Sequence, residues 1–401
     1  MSDASENVAK QKVIALSTSY PIRANSVAGI FVHNLYRAMS DTWSIEVLCP
    51  DEQIQSGGNF DGVKVTPIRY ALKKLQVLGG SGGLLPSMKA NPLKLLLLPF
   101  MLSSLFFYTL LKARTANIIH ANWAICGVIA GLAGKLFDRK VVLTLRGSDV
   151  EKSRSSLAFE WQLQLALAGA DSVVCVSKAM MNDLLSVYPK YAKKISYCHN
   201  GISDEFFNST SKKRNSDAPL QILAVGSLIP VKGFDLLLEA LHLLPSAASL
   251  YVTIIGEGPE RADLQMRIKD YGLESKVVLK GAVEYFAMPG IMAESDLFVL
   301  SSRTEGRPNV VAEAVASGLP IISADLPGVQ GMVVDGKNGW VFKPGDPIAL
   351  SKAIQHAISN KNLLCAIGES GRQMIRKDSS WSVAADYYGV LFNKLLGSGI
   401  K

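Results

Sequence analysis

Short apolar runs recur along the chain, separated by longer stretches in which apolar and polar residues mix. Lys12-Val-Ile-Ala-Leu-Ser17, Ser44–Cys49, Asn117–His120, Lys140–Leu145, Ser172–Val176 and Lys194–Cys198 are near-continuous apolar blocks. Strands of a parallel sheet, covered on both faces, carry that pattern. Helical stretches fill most of the gaps, so the first half predicts one doubly wound α/β domain. A polar stretch, Asn208–Ala218, marks a join. Beyond it the alternation resumes with Gln221–Val225, Tyr251–Ile255, Lys276–Leu279, Asp296–Ser301 and Leu319–Ser323. The expected architecture is two Rossmann-like domains facing across a cleft, residues 1–207 and 219–378, followed by a last helical stretch in 379–401 around Trp381–Leu396.

Length agrees with that division, because single cores stop growing near ~250–300 residues and the chain has 401. Its 48% hydrophobic and 19% charged content is that of a globular protein. The five cysteines, at 49, 126, 175, 198 and 365, form no Cys-x-x-Cys pair and are odd in number. Neither a disulfide framework nor a zinc knuckle is indicated, and a reducing cytosol fits best. The start, Met-Ser-Asp-Ala-Ser-Glu-Asn, shows no basic and apolar leader, so the expected location is cytoplasmic. Net charge is +8 and uneven: residues 1–207 hold 22 Lys+Arg against 15 Asp+Glu, residues 208–401 hold 20 against 19. The cations are dispersed, without an Arg-rich or aromatic-interleaved patch, so nucleic acid is not the expected partner. An anionic membrane surface or a phosphorylated lipid suits the basic half better.

The richest chemistry lies in Glu305-Gly-Arg-Pro-Asn-Val-Val-Ala-Glu-Ala-Val-Ala-Ser-Gly318. It sits between two apolar runs and reads as strand, loop, helix, strand. Pro308 suits the first helical turn, where a missing N–H costs nothing, and Gly318 suits the stop. A helix starting near Asn309 and Val310 aims its positive dipole end above the strand ends, a favourable place for a diphosphate. Glu305 on the loop and Glu313 one turn inside flank that place, able to accept hydrogen bonds from hydroxyls.

This spacing, with Gly306-x-Pro308 inside it and Gly318-x-Pro320 after it, resembles the signature of the GT4 family of retaining glycosyltransferases with the GT-B fold. The resemblance covers nearly the whole chain and is nearest in flavour to bacterial polysaccharide enzymes of teichuronic-acid type. It implies that Glu305 contacts donor-sugar hydroxyls, that Glu313 holds the ribose, and that the last helix crosses back to the first domain. In Gly226-Ser-Leu-Ile-Pro-Val-Lys232-Gly233, Lys232 takes the position of the family's phosphate-binding lysine, whereas Ser227 replaces its arginine. Gly29, after the first strand, matches a glycine where backbone nears phosphate. His120 matches the first position of an active-site His-x-His pattern whose second is Asn122, and Arg146-Gly-Ser-Asp149 resembles the family's His-Gly-x-Asp, placing Arg146 and Asp149 on the acceptor side. Asn200-Gly-Ile202 matches a hinge motif, and Gly256-Glu-Gly-Pro259 a packing turn.

Several chemistries are absent. Gly134-Lys135 lacks the following Ser/Thr of a P-loop, Gly256-x-Gly258 has Arg261 where a third glycine is needed, and no Asp-x-Asp occurs. No metal and no resident cofactor are expected; a UDP-sugar is favoured over a GDP- or ADP-sugar as the substrate. From Leu95 to Leu111 run 17 uncharged residues broken by Pro99, short of the ~20 that span a bilayer. That stretch is expected to be a helix touching the membrane interface, with Lys73, Lys74, Lys89 and Lys94 meeting headgroups; Gly79–Gly83 reads as a gating loop for the acceptor.

The expected function is transfer of a sugar from a nucleotide diphosphate donor to a lipid-linked or polysaccharide acceptor in envelope or exopolysaccharide synthesis. His120, Lys232 and Glu305 are the expected catalytic residues, and Gly29, Ser227, Gly306, Pro308, Asn309, Val310 and Glu313 complete the donor site. Two rivals share the fold: a nucleotide-sugar 2-epimerase, which would exchange solvent deuterium without an acceptor, and an inactive scaffold.

Overall fold

The structure, a computed structural model, describes residues 10–21, 29–50, 58–76, 78, 96–154, 156–209, 218–375 and 379–397. Gly79–Gly83, Lys89, Lys94 and most of the Asn208–Ala218 join lie outside the described residues. The chain divides into two units, residues 1–201 together with 381–401, and residues 202–380.

The first unit is built on eight strands: β1 (Lys12–Leu16), β2 (Ser44–Pro50), β3 (Gly58–Phe60), β4 (Val63–Ile68), β5 (Ile118–Asn122), β6 (Lys140–Leu145), β7 (Ser172–Cys175) and β8 (Ile195–Tyr197). Their order is β3-β4-β2-β1-β5-β6-β7-β8, parallel throughout except for β3. The sheet is apolar on both faces because alternate residues feed two cores. Ile14, Leu16, Leu48, Ile119 and Leu143 pack under the helices Leu98–Ala113, Ala124–Phe137 and Leu157–Gly169. Val13, Ala15, Val47 and Val142 pack under Ile30–Met39 and the last helix, Trp381–Leu395. That last helix therefore belongs to the first unit, fixed by buried Ala384, Ala385, Tyr388 and Phe392, with Phe392 edge-on to Trp43 at 5.2 Å between ring centres. The chain leaves and re-enters this unit at one point, where a Cβ on Gly201 would lie 2.5 Å from the backbone of Trp381.

The β3–β4 hairpin was not among the expected elements. Its strand β4, Val-Lys-Val-Thr-Pro-Ile, alternates rather than running apolar, and its turn is Asp61-Gly62, both residues at positive φ (48° and 83°), as a tight two-residue hairpin requires.

The second unit is a six-stranded parallel sheet of β9 (Leu220–Val225), β10 (Leu250–Ile255), β11 (Val277–Gly281), β12 (Leu297–Leu300), β13 (Ile321–Ala324) and β14 (Gly339–Phe342), ordered β11-β10-β9-β12-β13-β14. Counted from its first strand that order is 3-2-1-4-5-6, with direction of winding reversing between β9 and β12. Residues 202–207, expected with the first domain, pack in the second unit, where Phe206 and Phe207 join its core.

One buried charge in the first sheet has consequences for stability. Glu46 on β2 is 2% exposed and faces Lys112 Nζ at 2.7 Å, Lys12 Nζ at 3.3 Å and Lys64 Nζ at 3.6 Å, while Thr66 Oγ1 donates to it at 2.8 Å. Burial alone raises a carboxyl, but Lys112, Thr66 and Lys12 together reverse that and hold it at about 2. A carboxyl depressed in the folded state stabilises the fold above its unfolded value of about 4.3 and loses that contribution as pH falls toward the folded one. Glu46→Gln, which leaves three lysines around an uncharged group, should lower unfolding free energy near neutral pH by about 1–3 kcal/mol. It should also flatten the loss of stability in acid below about pH 4; urea melts at several pH values would show both, and an unchanged acid limb would contradict the assignment.

Candidate functional site

In an open α/β sheet the reversal of strand order leaves a crevice above the carboxyl ends of the two central strands. In the second unit those strands are β9 and β12, and the loops leaving them are Gly226–Gly233 and Ser301–Pro308. After β9 the chain makes a short turn, Pro230–Lys232, then enters the helix Phe234–His242 through Gly233 at φ 64°. A Cβ on Gly233 would sit 2.2 Å from the Ser301 carbonyl oxygen, so glycine is required on both counts. Ser301 Oγ donates to the Lys232 carbonyl at 3.1 Å. Arg303 braces the same turn: its backbone N–H donates to Val231 O at 2.8 Å, and its guanidinium donates to Pro230 O and, forked, to both oxygens of Asp235 at 2.9 and 2.7 Å.

Held in this way, Lys232 Nζ donates to Glu305 Oε1 at 2.6 Å, and Ser302 Oγ donates to the same oxygen at 2.7 Å. Both bonds fall on Oε1. The loop Glu305-Gly306 is backed by Gly328, where a Cβ would lie 2.3 Å from Glu305 O and 2.9 Å from Gly306 O. Pro308 stands just before the helix Asn309–Ala316 rather than in its first turn, with φ −76° and ψ 102°. The difference is physical: the residue before a helix is extended, and proline's fixed φ serves there as well. Gly318 is left-handed at φ 76°, the helix stop read from sequence. On that helix Glu313 accepts from Tyr285 OH at 2.9 Å. Burial raises its carboxyl to about 7, against the pull of Tyr285 and Arg307. Ser227 lies exposed on the β9 loop, while Asn309 and Val310 are half-buried at the helix start.

The first unit treats its expected site residues differently. His120 on β5 is fully buried; Tyr36 OH lies 3.0 Å from Nδ1 and Thr144 Oγ1 2.8 Å from Nε2. Burial lowers it to about 3, which keeps the ring neutral. Both nitrogens are engaged inside the core, so His120 stands here as a neutral link between Tyr36 and Thr144. Strand residues alternate between faces, and position 120 points under the last helix, its ring centre 5.1 Å from that of Tyr388. Asn122, the other member of the pattern, is equally buried and donates to Tyr36 OH at 2.8 Å. Arg146 Nη2 and Nη1 donate to Asn122 Oδ1 and Asn200 Oδ1, each at 2.6 Å, with the guanidinium 5.0 Å over the Phe31 ring. Asp149 accepts from the backbone N–H groups of Arg146 at 3.1 Å and Ala124 at 3.3 Å, tying two loops together, while burial raises its carboxyl. Gly29 starts the helix Ile30–Met39 at φ 76°, and a Cβ there would lie 2.2 Å from Ser19 O, so the close approach that demands glycine is to the chain's own backbone.

Sequence reasoning thus missed Ser302, Arg303, Tyr285 and Gly328. Ser302 and Arg303 were legible in principle, lying just beyond β12; Tyr285 comes from a different loop, and nothing local marks it. Among the described residues no group of three His, Cys, Asp or Glu side chains is placed to hold a metal ion.

Comparison with known proteins agrees with this geometry. The family model for glycosyltransferase family 4 matches residues 28–206, and that for glycosyl transferases group 1 matches residues 206–374. An uncharacterized glycosyltransferase of Methanocaldococcus jannaschii is 26% identical over 277 residues, 67% of this chain and 73% of that one. The amylovoran biosynthesis glycosyltransferase AmsK of Erwinia amylovora is 30% identical over 60% of this chain and 61% of its own length, and the lipopolysaccharide core biosynthesis glycosyltransferase LpsE of Rhizobium meliloti is 30% identical over 43% and 49%. Among solved structures, sucrose-phosphate synthase from Thermosynechococcus elongatus superposes with a TM-score of 0.79 at 18% identity, covering 97% of this chain and 100% of its own. HepE of Anabaena, solved with UDP-glucose, superposes at 0.73 and 18% over 97% and 100%. These likenesses establish the fold.

Gly328→Ala tests whether the Glu305 loop is held from behind. The added methyl has to displace backbone, so the variant should lose about 1–3 kcal/mol of unfolding free energy; a urea melt that matches wild type would show the contact to be idle.

Proposed function

The chain is a glycosyltransferase of the GT-B fold, and from that premise we propose that it is a retaining hexosyltransferase, independent of metal, that takes its sugar from a nucleotide diphosphate. The Lys232–Glu305 pair at the strand-order reversal of the second unit carries this reading. As the glycosidic bond breaks, positive charge grows at the anomeric carbon and negative charge on the departing diphosphate. In this reading Lys232 and the start of the helix at Asn309 would stabilise that negative charge, and oriented charge of this kind lowers the barrier without reorganisation. Glu305, its Oε1 engaged by Lys232 and Ser302, would offer Oε2 to a sugar hydroxyl. Glu313, oriented by Tyr285, would accept from the ribose. UDP is the favoured carrier, a choice supported by the UDP-glucose bound in the fold relative HepE. No resident cofactor enters the proposed reaction.

The acceptor proposed is a lipid-linked or polysaccharide hydroxyl in envelope or exopolysaccharide assembly, met at the cytoplasmic face of the membrane. The relatives named for amylovoran and lipopolysaccharide core biosynthesis support that class. The helix Leu98–Ala113 would supply peripheral contact with anionic lipid, since Phe100 and Phe107 point outward from it. No described helix is long and apolar enough to cross a membrane.

Two measurements test the donor site. Glu305→Ala should abolish transfer while leaving the fold intact; a purified variant with undiminished transfer from any of UDP-, GDP- or ADP-sugars would remove the residue from the mechanism. Glu313 supplies the pH test. Its carboxyl titrates near 7 in the fold, against about 4.3 in an unfolded chain, so it is largely protonated in mild acid and withdraws stability as pH climbs between those values. A ribose hydroxyl needs the carboxylate as acceptor, so UDP affinity should strengthen as pH rises from about 6 to about 8. Glu313→Gln should remove the part of that increase that does not come from the nucleotide's own phosphate, read by calorimetry across the same range.

A further inference from the structure

Three neighbouring helices of the first unit, Leu98–Ala113, Ala124–Phe137 and Leu157–Gly169, form one layer over the sheet. Each is apolar on its outer side as well as its inner one. On the first, Met101, Leu105 and Ala113 face the strands, while Phe100 and Phe107 on the opposite side are 63% and 62% exposed. On the second, Leu132 and Leu136 are 57% and 66% exposed, and on the third, Trp161 and Leu165 are 68% and 55% exposed. An ordinary surface helix reserves that side for polar groups, and contiguous exposed apolar area of this kind marks a surface made to be covered. The layer is drawn tight by a close crossing of Ala124–Phe137 with Leu157–Gly169, where a Cβ on Gly131 would lie 2.9 Å from the Cα of Gly169, so the three outer stripes belong to one surface.

The charge around that surface selects the occupant. Leu98–Ala113 and Ala124–Phe137 contain no acidic residue and Leu157–Gly169 contains one, Glu160; the ends of the first two carry Lys112, Arg114, Lys135 and Arg139 against a single acid, Asp138, so the cations prevail. Lys112 turns inward to Glu46, whereas Arg114 and Lys135 are exposed, with the Arg114 guanidinium 5.8 Å over the Phe137 ring. A second copy of this chain would bring one basic rim against another, which is repulsive. An anionic lipid surface meets both the apolar field and its cationic edge.

We propose that this three-helix face lies flat on an anionic bilayer, with Phe107 on one side and Trp161 on the other entering the boundary between headgroups and acyl chains. This rests on the peripheral contact proposed for Leu98–Ala113 and widens it to a surface that fixes the orientation of the first unit, because two separated anchors leave no freedom to rotate about a single helix. Such an orientation suits a lipid-borne acceptor, whose hydroxyl must be reached at a set height above the headgroups.

The test is co-sedimentation of the full chain with vesicles of phosphatidylcholine, with and without phosphatidylglycerol. Binding should require the anionic lipid and weaken with salt. Phe100→Glu with Phe107→Glu, and separately Trp161→Glu with Leu165→Glu, should each lower the partition coefficient at least about ten-fold. All four side chains are exposed, so UDP binding and circular dichroism should be unchanged in both variants. If only the first pair matters, contact through Leu98–Ala113 stands and the wider face is refuted; if neither matters, or wild type ignores anionic vesicles, both fall. A dimer in sedimentation equilibrium that the substitutions split, without vesicle binding, would also overturn the proposal.

Discussion

Everything at the strand-order reversal of the second unit depends on bringing one ammonium and one carboxylate, carried by loops from two different strands, to 2.6 Å. The pair does not hold those loops together by itself. An ion pair with partial access to water contributes about 0–1 kcal/mol, too little to fix two loops. The fixing comes from contacts that do not involve that pair: Gly233 pressed on the Ser301 carbonyl, Ser301 Oγ on the Lys232 carbonyl, Arg303 on three groups of the β9 turn, and Gly328 behind Glu305. The two charges are thus presented by a backbone that would stay in place without them, which is the condition for electrostatic stabilisation of a transition state at little reorganisation cost.

Much of this architecture could be read in the residues because parallel strands buried on both faces advertise themselves as unbroken apolar runs, and eleven such runs coincide with strands. The strands that escaped, β3, β4 and β14, are the exceptions that the same physics predicts. β3 and β4 lie at the outer edge of their sheet, with residues alternating or polar, and β14, Gly-Trp-Val-Phe, is short and begins at a glycine. At the site, Glu305 and Glu313 stand out because they lie in a strand-loop-helix unit with a marked start and stop, and Lys232 because it ends the turn between β9 and the helix that follows. Their supports do not. Tyr285 and Gly328 act on the site through space from other loops, and a single sequence holds no record of which loops will meet.

His120 lies on the strand that the motif marks, with its ring packed against Tyr388. The strand end lies at the reversal point of the first sheet, between β1 and β5, and the ring turns inward. There it joins an unbroken polar chain from Tyr388 through Thr144, His120, Tyr36 and Asn122 to Arg146 and Asn200. Buried polar chains are favourable only when every member has partners, and a satisfied chain resists rearrangement. Its last members, Arg146 and Asn200, lie just past the ends of β6 and β8, so the chain of hydrogen bonds ties those two loops to the interior. Trp123, held at φ 69° beside Phe31, is a further sign that this rim is shaped against local preference.

Because Gly201 and Trp381 abut, and Ile202 bridges to Ser380 one residue further on, the second unit is, in topology, an insert spliced into a surface bend of the first. The ends exposed by removing it would already be neighbours, about as close as two consecutive Cα atoms allow. A chain joined directly from 201 to 381 would keep every strand of the first sheet and its closing helix, and the excised piece would keep its own sheet whole. Each half could then have existed, or be made to exist, as a protein of its own.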